Sequence, residues 1–198
     1  MTLPHFRLPR RQGAGAGLSG RTGKEILRFP LPVSARLAIV DAGFRTSGNM
    51  QHFAAGDVGG LVDYAPEALV LPLGLALAMA ERKLRGLFEL PSLRVGIVVL
   101  SSVNSPDGGP LFARHRDLLW KAFGLPVFEQ LRGWDGRVIA RECEVHDGLH
   151  FEGGEHELAA LRMAADFSAE IVTAQCECGA ETPRLRYAAA PKALTAAA

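Results

Sequence analysis

The sequence predicts an α/β fold: a partly parallel sheet flanked by helices, with a small β appendage. Three observations carry this. Apolar runs at Ala68 to Leu71 and Leu93 to Leu100 read as strands buried on both faces, as a parallel sheet requires. Segments of helical period, Leu73 to Arg85 and Leu111 to Phe123, alternate with them, which favours crossover connections. Past Gly136 the pattern gives way to partial alternation around Asp147-Gly148, a hairpin signature.

In chain order, residues 1–24 are rich in Gly, Arg and Pro and contain Gly13-Ala-Gly-Ala-Gly17, so they read as a flexible tail that buries too little apolar surface to order itself. A strand follows at about Arg36 to Val40, and the next at Ala68 to Leu71. The helix from Leu73 to Arg85 sets Leu73, Leu77, Ala80 and Leu84 on one face, places Arg82, Lys83 and Arg85 near its C-terminal dipole, and closes at Gly86. Leu93 to Leu100 is nearly continuous apolar sequence. A turn at Asn104 to Pro110 leads into a helix with Leu111, Leu118, Leu119 and Ala122 inward and Gly124 as its cap. Leu125 to Phe128 returns as a short strand. Residues 25–136 thus form the α/β core and 137–186 the appendage, with a last strand at Ala169 to Ala174. Residues 187–198, running into Ala-rich sequence with Pro191, read as a second flexible tail.

Composition sets what to exclude. The 198 residues are 48% hydrophobic and 22% charged with a net charge of +1, values of a soluble globular protein with no general attraction to nucleic acid. Arg7, Arg10 and Arg11 make too short a basic run to change that. The most apolar stretch, Ala65 to Ala80, contains Pro66, Glu67 and Pro72 and falls short of the ~20 residues a membrane span needs. No apolar stretch follows the basic N-terminus, so the expectation is a cytoplasmic protein without membrane association.

All three cysteines fall in the second half. Cys143 and His150 flank the hairpin turn, and Cys176 and Cys178 form a Cys-x-Cys-Gly with Gly179. Three thiolates and one imidazole are a common closed ligand set for structural Zn²⁺. Ordinary reduced thiols compete with this reading, and a disulfide competes less well because the count is odd. His146 and His156 compete for the fourth position. A hairpin centred on Asp147-Gly148 would pair residues whose numbers sum to about 295, bringing Cys143 and His150 to adjacent strands as diagonal neighbours. Glu142 and Glu144 would flank Cys143 on the opposite strand face, solvating the sheet. Trp120 and Trp134 read as packing anchors, with Trp134 a candidate partner contact. His52, Asp57, Asp63 and Ser101 or Ser102 form no hydrolase set, since no G-x-S-x-G elbow exists.

Leu93-Arg-Val-Gly-Ile97, Phe123-Gly-Leu-Pro-Val-Phe128, Ile139-Ala-Arg-Glu-Cys-Glu144 with Asp147-Gly-Leu-His150, and Cys176-Glu-Cys-Gly179 before Thr182-Pro-Arg-Leu185 resemble, in this order, the phenylacetate–coenzyme A ligase group of adenylate-forming enzymes. The resemblance covers roughly residues 65 to 185. It implies zinc on Cys143, His150, Cys176 and Cys178, as in some members of that group. It also implies a chemistry in which ATP activates a carboxylate and coenzyme A accepts the acyl group.

The family's catalytic apparatus is poorly matched. Gly17 to Lys24 only faintly resembles its phosphate loop; Ser19, Gly20, Thr22, Gly23 and Lys24 are the positions that would hold ATP phosphates there, against a flexible tail as the plainer reading. Where the family has Tyr-Gly-x-Thr-Glu, this chain reads Leu131-Arg-Gly-Trp-Asp-Gly136, leaving Asp135 as the candidate for Mg²⁺ against an ordinary Asp-Gly turn. No segment corresponding to the mobile C-terminal domain follows Cys178, and adenylation in the usual manner is not expected. The expectation is a non-catalytic or accessory protein with a structural zinc site, acting through another subunit, a second copy of itself or a small molecule. The alternative is a reduced ATP-dependent carboxylate-activating enzyme.

Overall fold

The computed structural model describes residues 30–32, 34–40, 46, 48–102, 109–163 and 167–189. Residues 1–24 and 190–198 and most of the turn at Asn104 to Pro110 lie outside them. The chain runs β1 (Leu37–Val40), β2 (Met50–Phe53), α1 (Val58–Tyr64), β3 (Ala68–Pro72), α2 (Leu73–Leu84), β4 (Gly96–Ser102), α3 (Ala113–Phe123), β5 (Val127–Arg132), β6 (Val138–Glu142), β7 (Leu149–Phe151), α4 (Glu155–Met163), β8 (Phe167–Val172) and β9 (Arg184–Ala189).

The nine strands among the described residues join one mixed sheet in the order β2-β1-β3-β4-β5-β6-β7-β9-β8. From β2 to β5 the neighbours are parallel, and from β5 to β8 they are antiparallel. This is the predicted α/β class. The parallel strands are sealed on both sides. Leu69, Leu71, Ile97 and Val99 pack with Leu73, Ala76 and Ala80 of α2 and with Leu119 and Ala122 of α3, while Ile39, Val70, Val98 and Phe128 form a cluster on the other face. Beyond β5 a third cluster, built on Leu131, Ile139, Leu149, Leu161 and Leu185, carries the core into the antiparallel half.

Several boundaries shift, for identifiable reasons. The strand expected from Leu93 begins at Gly96, because Leu93 N donates to Leu90 O in a turn and Val95 N to Glu67 O. The strand expected to end at Phe128 runs to Arg132 because Glu129 and Gln130 are each 1% exposed and continue it through the interior. On α2 the inward face is Leu73, Ala76 and Ala80, and Leu84 is exposed. Gly124 caps α3 in the left-handed region as expected. Tyr187, Ala188 and Ala189 belong to β9, so the second tail does not start at 187. Trp120 and Trp134 are both exposed rather than packed.

Candidate metal centre

The hairpin between β6 and β7 is wider than a two-residue turn. Its ladder pairs Arg141 with His150 and Glu142 with Leu149, leaving 143–148 as the connection and Cys143 as its first residue. The expected register is therefore displaced. Two positions in the loop, His146 at φ 57 and Gly148 at φ 89, take left-handed backbone, which widens the turn beyond Asp147-Gly148.

Cys143 and Cys176 each head a tight turn. Cys143 O accepts from His146 N at 3.1 Å, and Cys176 O accepts from Gly179 N at 2.9 Å, with Gly179 at φ 86 supplying the reversal. The two turns face each other across β7, which carries His150 between Arg141 of β6 and Arg184 of β9. The result gathers the four predicted ligands: one donor atom from each of Cys143, His150, Cys176 and Cys178 lies within 4.8 Å of all the others. His146 and His156 stand outside the group. His146 bonds Glu142 at 2.9 Å and stacks on Phe128 at 4.9 Å, and His156 is exposed on α4.

The spacing suits a tetrahedral ion. The Sγ atoms of Cys143 and Cys176 are 3.8 Å apart, and two sulfurs each about 2.3 Å from one tetrahedral Zn²⁺ would be separated by about 3.8 Å. Cys178 Sγ lies 3.3 Å from His150 Nε2. The other ring nitrogen, Nδ1, is 2.8 Å from Thr182 Oγ1, which leaves Nε2 as the ligand atom and fixes the ring. Cys143 is 0% exposed, Cys176 3% and His150 7%, with Cys178 half-buried, so the cluster can hold a metal ion such as zinc largely shielded from bulk water.

The thiols differ electrostatically. Burial, reinforced by the neighbouring thiols of Cys176 and Cys178, pushes Cys143 up to about 12. Cys176 is held below the usual thiol range, first by the backbone N–H of Cys178, then by the neighbouring thiols and the Arg184 guanidinium. A buried group of three thiols does not ionise fully unaided. A dication at its centre would supply the missing positive charge, and binding would release protons.

The reading from sequence missed what flanks the cluster. Glu142 and Glu144 are not equivalent. Glu144 is exposed in the loop, whereas Glu142 is 2% exposed, takes both of its oxygens to Arg116 Nη2 at 2.9 Å and accepts Glu129 N at 2.8 Å. Glu129 is also buried. Its carboxyl is pushed up to about 7 by burial, which outweighs the donors around it; Ser101 Oγ, Leu111 N and Tyr187 Oη all donate to it. The available signal was a Glu-Gln pair set between apolar residues, in Val127-Phe-Glu-Gln-Leu131, since a Glu there is seldom fully buried without partners.

Of the other candidates, Ser19, Gly20, Thr22, Gly23 and Lys24 lie outside the described residues. Asp135 sits in the exposed β5–β6 turn, where its Oδ1 accepts Arg137 N at 2.9 Å, the ordinary office of an Asp in a turn. The hydrolase set does not assemble: Ser101 is engaged with Glu129, Asp57 caps α1 through Gly60 N, and His52 lies exposed on the edge strand β2. No described helix is long and apolar enough to cross a membrane.

No family model matches the sequence, and no curated protein matches it. The fold does have solved counterparts. A crystal structure of 2-hydroxyisobutyryl-CoA ligase, in an open conformation with 2-HIB-AMP and CoA, superposes with a TM-score of 0.52 at 14% identity, covering 76% of this chain and 43% of that one. The same enzyme in its thioesterification state gives 0.48 at 13% identity over 75% and 42%. At 14% identity the likeness is one of fold. This chain spans less than half the length of those solved structures.

Proposed function

We propose that this protein is a non-catalytic, accessory relative of the adenylate-forming acyl-CoA ligases, in which a structural zinc ion on Cys143, His150, Cys176 and Cys178 ties the antiparallel half of the sheet together, and which acts by binding a partner chain or a small molecule. The observation that carries the reading is the meeting of all four ligand atoms within 4.8 Å, from two turns and a strand far apart in sequence. When bound, the ion supplies charge neutralisation and a cross-link, and with four protein ligands it leaves no open position for substrate.

The residues around the site support a structural role. Thr182 orients His150. Arg184, 4% exposed, sits beside Cys176 and donates to the backbone oxygens of Asp147 and Ala174, so its charge and its hydrogen bonds join the two ligand turns. Asp135, the position that would serve Mg²⁺ in a ligase, serves its own turn instead.

The test is elemental analysis of protein purified without metal-chelating resin, together with thermal unfolding in the presence of ATP and Mg²⁺. One zinc per chain, lost with a large fall in Tm on chelation, and no shift with nucleotide are expected. Metal-free protein of unchanged stability would remove the zinc reading. A nucleotide-dependent rise, which reaches about 2.7 kcal/mol at 100 times Kd, would favour an ATP-dependent carboxylate-activating enzyme instead.

A further inference from the structure

Over the face of the sheet that carries α3, between the start of that helix and β9, lies a cavity of about 610 Å³, within the range of small-molecule sites. It lies where the loop ends of β6 and β7 meet β5 and β9: Glu129 pairs with Val99, Glu142, the last residue of β6, with Leu149, the first of β7, and Leu149 with Leu185. Leu111, Phe112, Leu149 and Leu185 give it apolar walls. None of its lining residues is a proposed metal ligand.

Its charges do not cancel. Arg116 and Glu142 neutralise each other, and on the β9 side Arg186 shares the Asp147 carboxylate with Arg184, which stands outside the lining, so Asp147 satisfies Arg186 only in part. On the α3 side Arg114 lies 5.2 Å from the centre of the Phe112 ring, with Nε 3.2 Å from His115 Nε2, and among the described residues it pairs with no carboxylate. The buried Glu129 does not fully offset these cations, because its carboxyl is only partly ionised near neutral pH. One cation thus stands on each wall. A planar carboxylate is best met by one guanidinium edge, whereas a tetrahedral group presents oxygens in several directions and suits two separate arginines.

We propose that this cavity binds an organic phosphate monoester with an apolar body, its head group between Arg114 and Arg186 and its body against Phe112, Leu149 and Leu185. The inference goes beyond the metal-centre reading and uses different residues. The test is calorimetric and NMR titration of the full chain with hexyl phosphate, hexanoate and 1-hexanol. Hexyl phosphate should bind saturably, move the amide signals of Ala113 and Tyr187, and bind about tenfold or more tightly than either of the others, the scale of a charged hydrogen bond. Arg114→Ala should weaken it about tenfold without moving the Tm, since that side chain is exposed. Ala113→Trp, at an exposed rim position, should block it. No saturable binding, equal affinity for hexanoate or hexanol, or undiminished binding by both variants would overturn the proposal.

Discussion

Arg116 of α3 holds both carboxylate oxygens of Glu142, each at 2.9 Å, one residue before the first thiol of the metal cluster. Glu142 is 2% exposed and the Arg116 side chain 32%, so the pair is largely removed from water. The same guanidinium donates to Val127 O at 2.9 Å, joining helix, parallel strand and ligand loop through one side chain. Arg116→Leu would leave the buried carboxylate with only Glu129 N and His146 as partners, and a loss of about 3 kcal/mol is expected, measured by urea unfolding. Arg116→Lys should recover only part of it, because a single ammonium cannot reproduce the fork.

Glu129 gives the protein an acid-favoured component of stability. Its carboxyl is raised to about 7 from an ordinary 4.5, so between these values the folded state holds a proton that the unfolded state has released. Stability from this group is complete below about 4.5, falls as pH rises toward about 7, and is level above; the full span is about 3 kcal/mol. Asp147, Glu67 and Glu157 are held below their ordinary values by their donors and cations, so their opposite dependence lies at lower pH. Unfolding free energies between pH 4.5 and 8 should slope downward in the parent chain and be much flatter in Glu129→Gln.

Thr182 should set metal affinity without being a ligand. Removing its hydroxyl in Thr182→Val frees the His150 ring to rotate and to adopt the other tautomer. A drop of about ten- to a hundredfold in zinc affinity is expected, measured by competition with a chromophoric chelator. Cys176→Ser should lose the metal outright.

Gly148 tests the ligand loop by a separate route. At φ +89 an added Cβ would lie 2.9 Å from Leu185 O and 3.1 Å from Arg186 Cγ, so Gly148→Ala suffers both backbone strain and a clash with β9. A cost of about 1–3 kcal/mol is expected, together with faster hydrogen exchange across β7 and β9.

The parallel half was legible because its signals are local. Burial on both faces of a strand shows in the apolar run Ala68 to Leu71, and helix ends show at Gly86 and Gly124, both left-handed. The Cys₃His cluster was legible because soft donors are few and their chemistry is specific. What stayed hidden depended on partners distant in sequence. Glu129 and Glu142 are charged residues that become interior only because Arg116, Ser101, Leu111 and Tyr187 arrive from four other segments. Likewise Tyr187 reads as tail until β7 and β8 give it a sheet to enter. The hairpin register was misplaced because His146 takes a left-handed conformation that side chains other than glycine seldom adopt.

Strand β9 is laid between β7 and β8, although β8 precedes it in the chain. As the nascent polypeptide emerges, β8 therefore has no neighbour among the described strands until Arg184–Ala189 threads in beside it. Cys176 and Cys178 lie on the link between these two strands, so the donor set can close only when that keystone is seated. Capture of the ion would then mark the completion of the sheet, turning a late and entropically expensive insertion into a step that is not readily reversed.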